Sequence, residues 1–207
     1  MNSAAGAGVH GPVPRDELAA RTVGVLKRGS GAKPDVLLVD AGDRRLVVKD
    51  FGARPRSRVV RALGRRMLDR EARVYGALAA HPSVPRCLGR IDALALAFEY
   101  RPGEPLSRAL AARLGPVRSA ALLERIEQAV HRMHALGVVH LDLRHRDNVL
   151  CDPDDRPVLV DFAFAMCFRP GSLWYRWYRP TVLLYDQYAV SKWRDRLAPA
   201  AEQARSA

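Results

Sequence analysis

From Thr22 onward, apolar and polar positions alternate in short runs: TVGVL, then DVLLV and RLVVKDF on either side of AGD. A period of two predicts strands, and the Ala-Gly-Asp link predicts an antiparallel hairpin between the second and third. RGSGAKP, between the first two, reads as a turn rich in backbone donors. Met67, Ala72, Tyr75 and Leu78 then recur at the spacing of one helix face, and RCLGRIDALALAFEY offers two more strands. RPGEPL interrupts both periods. It places a boundary between an N-terminal lobe of residues 18–101 and a C-terminal lobe of residues 102–197, with 1–17 and 198–207 as tails. Beyond it the period lengthens: Leu122, Ile126, Ala129, Val130 and Met133 share one face of a helix expected over 117–136, and Gly137 supplies its stop. VVHLDL returns as a short strand, followed by the charged loop RHRDN, VLCD, the turn DPDDRP and VLVDFAFA. The expected class is α+β, with an antiparallel sheet first and a reduced, mainly helical lobe second.

Composition narrows the function. At 48% apolar and 27% charged residues, the 207-residue chain is able to bury a core and is not globally disordered. Its net charge of +12 favours anionic partners: nucleotides, nucleic acid, phospholipid headgroups or phosphorylated sugars. Thirty of the 34 cations are arginine, a bias that a GC-rich coding sequence explains. The four lysines, Lys27, Lys33, Lys49 and Lys192, are therefore the informative cations. Cys87, Cys151 and Cys167 form no CxxC pair and fit a reduced, cytoplasmic interior. The first residues have neither the basic nor the apolar segment of a signal peptide, and no apolar run is long enough to span a bilayer. The expected location is cytoplasmic, with at most peripheral contact at the inner membrane.

Four residues point to one chemistry. Lys49 ends an apolar strand, where a cation is normally unwelcome, and a compact ammonium has been kept there in an arginine-biased chain. Glu71, on the following helix, is placed to pair with it. Asp142 and Asp161 each follow an apolar strand, as VVHLD and VLVD. Carboxylates at the ends of buried strands are costly unless they hold a metal or accept a proton. Each residue alone has an ordinary structural explanation, as an ion pair or a turn cap. The order of the set carries the argument.

That order resembles the protein-kinase-like fold. VVKD looks like the strand-lysine motif and Glu71 like its helix partner. HLDLRHRDN looks like the catalytic loop H-R-D-x-x-x-x-N, and DFA like D-F-G. The small size, the HxDL loop and DREARVY most resemble the bacterial lipopolysaccharide-core (Kdo and heptose) kinases, and then the RIO kinases. The resemblance implies an ATP- and Mg²⁺-dependent phosphotransferase. Lys49, positioned by Glu71, would hold the α- and β-phosphates, with backbone amides of Gly29, Ser30 and Gly31 covering the phosphates. Glu99, Tyr100 and Arg101 would read the adenine. Asp142 would accept the proton of the acceptor hydroxyl, and Asn148 and Asp161 would bind Mg²⁺. The acceptor stays open between a sugar or lipid-linked sugar and a protein serine, and a nucleotide-binding pseudokinase is the alternative from another class.

The departures are specific. RGSG replaces the longer glycine-rich loop, Leu141 replaces the arginine of H-R-D, and Ala163 replaces the glycine of D-F-G. With only a short stretch after Asp161, a large peptide-substrate platform is not expected. Asp147 stands five residues after Asp142, where the motif has asparagine, and Asn148 comes one later. We expect the loop to bulge and to use Asn148. Trp174, Tyr175, Trp177 and Tyr178, interleaved with Arg169, Arg176 and Arg179, suit either a membrane interface or helices packed onto the second lobe. No zinc finger, RRM or KH pattern is present, so nucleic acid is not an expected partner, and the chain is expected to be a monomer.

Overall fold

The computed structural model describes residues 12–168 and 173–202, and for 173–182 and 198–202 it describes the backbone alone. The chain divides into two compact units. One joins the described residues before Arg73 to Cys87–Tyr100; the other joins Arg73–Arg86 to the described residues from Arg101 onward.

The first unit is a five-stranded antiparallel sheet. Its strands are β1 (Thr22–Lys27), β2 (Asp35–Asp40), β3 (Arg45–Asp50), β4 (Cys87–Asp92) and β5 (Ala95–Glu99), in the order β1-β2-β3-β5-β4. The expected hairpin forms β2 and β3, with Leu37 opposite Val48 and Val39 opposite Leu46. Side chains alternate between faces. Leu37, Val39, Leu46, Val48, Ala95 and Ala97 fill one apolar cluster. That face needs cover, and Val13 and Leu18 supply it. Val13, expected within a mobile tail, is instead buried, and Arg15 pairs with Asp50 at 2.9 Å.

Helix α1 (Arg58–Ala77) follows β3. Of the predicted line, Tyr75 and, just past the helix end, Leu78 are buried as expected, whereas Met67 and Ala72 are only half-buried and their neighbours Leu68 and Glu71 are the buried positions. The true face contains a carboxylate, so an apolar search passes over it.

The second unit is built on α2 (Arg108–Ala135) and α3 (Leu173–Glu202), which pack together. Helix α2 begins nine residues before the expected start at 117. Ser107 caps it, its hydroxyl accepting from the Leu110 amide at 3.0 Å. Gly115 (φ 74°, ψ 175°) and Pro116 kink it, which hides the first turns from a periodicity reading. Leu122, Ile126, Ala129, Val130 and Met133 are buried as expected, and Gly137 ends the helix region at φ 77°. Short strands β6 (Glu104–Pro105), β7 (Val138–Val139), β8 (Val149–Cys151), β9 (Pro157–Leu159) and β10 (Met166–Cys167) complete the unit. They pair as β6-β8-β9 and β10-β7, so that β8 and β9 form a hairpin between the RHRDN loop and the DFA segment. Among the described residues, no helix is long and apolar enough to cross a membrane.

Candidate active site

In the first unit, Lys49 lies on the sheet face opposite the apolar cluster, paired in register with Val36 and Leu96. Its Nζ meets Glu71 Oε1 at 2.6 Å, with Lys49 7% and Glu71 3% exposed. Burying both ions is expensive, and the close contact between them offsets part of that cost. Sequence placed these two correctly as partners.

The RGSG turn is tied down by residues that the sequence reading did not single out. Asp35 Oδ1 accepts from the Gly29 amide at 2.7 Å and from Arg54 Nη2 at 2.6 Å. Burial works against the Asp35 carboxylate, but these two donors outweigh it and hold its pKa below the ordinary value. Arg54 also donates to the Gly29 carbonyl, and Arg56 to the carbonyls of Gly31 and Lys33. A Cβ on Gly29 would fall 2.3 Å from the Lys33 carbonyl oxygen, so no other residue fits there. The Gly29 amide, expected to cover a phosphate, is spent inside the turn. Glu99 ends β5, opposite Leu46, and the Tyr100 amide donates to the Arg45 carbonyl at 3.4 Å. Arg101 begins the second unit, and its side chain donates to the Pro82 carbonyl at 2.6 Å.

In the second unit, the loop from His140 to Asn148 is compact. Asn148 is buried, and its Nδ2 donates to the Asp142 carbonyl at 2.8 Å and to Asp142 Oδ2 at 3.0 Å. A 3₁₀ turn over Arg146–Asn148 absorbs the extra residue and leaves Asp147 exposed beside Arg146 and His145. Asn148, not Asp147, is brought to Asp142. The Val160 amide donates to the Asn148 carbonyl at 3.0 Å, which ties the chain just before Asp161 to the same loop.

Two side chains of α3 clasp this loop, and neither was singled out from sequence for this task. Asp186 is fully buried; its Oδ2 accepts from the His140 amide and its Oδ1 from the Leu141 amide, each at 2.9 Å. His134 Nε2 lies 2.9 Å from Oδ2 as well. Trp193 Nε1 donates to the Leu143 carbonyl at 3.0 Å. Asp142 therefore sits between two anchors one face of α3 provides. Leu141 (φ 65°) and Asp161 (φ 63°) both adopt left-handed backbone. For leucine that conformation is costly, and such strain gathers where function fixes geometry. The one sequence signal for Asp186 was a lone acid in the apolar run VLLYD. The side chains of Trp174, Tyr175, Trp177 and Tyr178, on which the membrane reading rests, lie outside the described side chains.

His140 supports the loop from below. It is fully buried, its Nε2 is 3.0 Å from the Val160 carbonyl, and its ring lies 4.6 Å from that of Phe162, which also meets Tyr75. Burial pushes its pKa down, partly opposed by the carboxylates of Asp186, Asp161 and Asp142. The folded ring is neutral where the unfolded ring, with an ordinary value of 6.5, takes up a proton. Stability should therefore hold above that pH and fall below it, by about 1.4 kcal/mol per pH unit for one such group. Burial also lowers His81, which adds to the same trend. Urea unfolding midpoints measured across this range check the expectation; a midpoint that does not fall on acidification would place a charged ring in the folded protein.

Among the described residues, no three His, Cys, Asp or Glu side chains gather as a metal cluster. What the loops offer instead is an Asp161 carboxylate and the amide oxygen of Asn148, whose nitrogen is already engaged by Asp142. Oxygen donors in small number suit Mg²⁺, which keeps waters and takes phosphate oxygens as further ligands.

A sheet bearing a buried Lys-Glu pair and a helical unit bearing this loop define a kinase-like phosphotransferase domain. Residues 24–137, more than half of the chain, match the phosphotransferase enzyme family (APH), and the chain belongs to that family. Over 106 residues, 49% of the chain, it is 35% identical to the serine/threonine-protein kinase PknH of Mycobacterium tuberculosis, of which this covers 17%. Over 57 residues, 27% of the chain, it is 35% identical to calcium-dependent protein kinase 17 of Arabidopsis thaliana, of which this covers 11%. The matches thus span under a fifth of the length of these curated relatives.

Proposed function

We propose that the chain is an ATP- and Mg²⁺-dependent kinase that transfers the γ-phosphate to a hydroxyl group. The observation that carries this reading is Asn148 Nδ2 held at 3.0 Å on Asp142 Oδ2, inside a loop whose amides are fixed by Asp186. Asp142 would accept the acceptor's hydroxyl proton as its oxygen forms the new P–O bond and the bond between the γ-phosphorus and the bridging oxygen breaks, releasing ADP. Lys49, held by Glu71, would neutralise the α- and β-phosphates. Asn148 and Asp161 would hold Mg²⁺, which offsets charge on the phosphate oxygens. Such transfer needs positioning and charge compensation more than covalent help, and the clasped loop is suited to positioning.

The acceptor we favour is a sugar of the lipopolysaccharide core, on the likeness of HLDL and DREARVY to those kinases. Peripheral contact with the inner membrane would bring the chain to such a substrate. Transfer of radiolabelled γ-phosphate to a panel of lipopolysaccharide cores, serine-bearing proteins and water tests the reading. Label on the sugars supports it; label on protein alone transfers the assignment to a RIO-like serine kinase. No turnover with nucleotide still bound identifies a pseudokinase.

The loop geometry makes a sharper prediction. Asn148→Ala should raise the Mg²⁺ concentration needed for half-maximal turnover by about tenfold or more, and Asp147→Ala only slightly, because one ligand is worth roughly that much affinity. A Mg²⁺ titration of both variants decides it, and a larger effect of Asp147→Ala overturns the assignment.

A further inference from the structure

A concave pocket of about 300 Å³ opens in the second unit, lined by Pro82, Ser83, Gln128, Ala129 and Pro157 and by four arginines, Arg101, Arg125, Arg132 and Arg156. That the cations are arginine says nothing in a chain with thirty of them; their setting does. Among the described residues, no carboxylate lines the pocket. Arg101 donates to the Pro82 carbonyl at 2.6 Å and Arg125 to the Asp155 carbonyl at 2.9 Å, so both are oriented by neutral oxygens, although Arg125 also feels the Asp155 carboxylate. The nearby Asp155 carboxylate is taken by Arg118, at 2.7 and 2.9 Å. Arg156 has only a loose approach to Asp154, at 3.8 Å. Arg125, Gln128, Ala129 and Arg132 stand on one face of α2, which fixes the spacing of two of the cations. Elsewhere in the same unit the pattern differs: Arg113 meets Glu104 and Arg194 meets Glu127.

We propose that this pocket is a second anion site, which takes the phosphate group of a small phosphorylated molecule. Preoriented guanidinium forks match phosphate oxygens two at a time, and the volume admits a diphosphate or a sugar phosphate but not a folded partner. Nothing in the site requires the kinase reading, so each stands or falls separately.

Calorimetric titration of the full chain with inorganic pyrophosphate tests it. The wild type should show a saturable site that weakens with salt, and Arg125→Glu with Arg132→Glu should weaken that site by about tenfold or more. Arg58→Glu with Arg61→Glu, an equal charge change on α1, should leave it intact. Circular dichroism verifies folding, and Arg132→Gln alone serves in place of the double variant if that unfolds. Equal isotherms for all variants, or equal losses in both double variants, would overturn the proposal. So would binding confined to anionic phosphatidylglycerol vesicles with none to pyrophosphate.

Discussion

Asp142→Asn should reduce phosphoryl transfer by about a thousandfold while nucleotide affinity changes no more than a few-fold, the scale expected when a general base is removed. The substitution is unusually clean here. The new amide oxygen still accepts from Asn148 Nδ2, which now sits 3.0 Å from Oδ2, and the amides held by Asp186 are untouched. The loop keeps its shape and loses only the capacity to take a proton. Transfer rates and nucleotide binding, measured on the same preparation, check this; full turnover would remove Asp142 from the chemistry.

Lys49→Met should cost both stability and turnover, for separable reasons. It removes the 2.6 Å cationic partner of Glu71, which is 3% exposed. Removing one ion of a buried pair typically costs about 3–5 kcal/mol. Adding Glu71→Leu should recover much of the lost unfolding midpoint, because no buried charge is left, yet turnover should stay lost. Lys33→Met, at an exposed position in the turn, should alter neither quantity much. Lys49→Arg should not rescue, since a fork is larger than the ammonium that this strand encloses. Denaturant curves beside turnover rates for the four variants check the set. Equal rates for Lys49→Met and Lys33→Met would end the claim that Lys49 meets phosphate.

What could be read from the sequence follows the range of each interaction. The hairpin of β2 and β3 was legible because alternation and its turn lie within a few residues. Lys49 was legible because a cation at the end of an apolar strand is a visible anomaly. On α1 the pattern finds Tyr75 but takes Met67 and Ala72 for their buried neighbours Leu68 and Glu71, because Glu71 is charged and the reason for its burial lies on another element. The turns over 108–114 were hidden because Gly115, whose backbone is not helical, and Pro116 separate them from the helix expected over 117–136. Asp186 and Trp193 were not legible as loop anchors. Their partners are 46 and 50 residues away, and no local pattern records a bond of that span. The register of Asn148 against Asp147 lay between these extremes: downstream counting pointed to it, and the inward turn of its amide supplies the geometry.

The clasp on the HLD loop also sets a timetable for synthesis. Residues 140–148 leave the ribosome well before Asp186 and Trp193, which are made near the end of this sequence. Until those two emerge, the His140 and Leu141 amides and the Leu143 carbonyl have none of the α3 partners that hold them. Leu141 has little reason to keep its left-handed backbone in that interval. A nascent chain that has displayed HLDLRHRDN is thus not yet a transferase. On the proposed function, competence would come only with α3, and a chain arrested before residue 186 should be inert rather than unregulated.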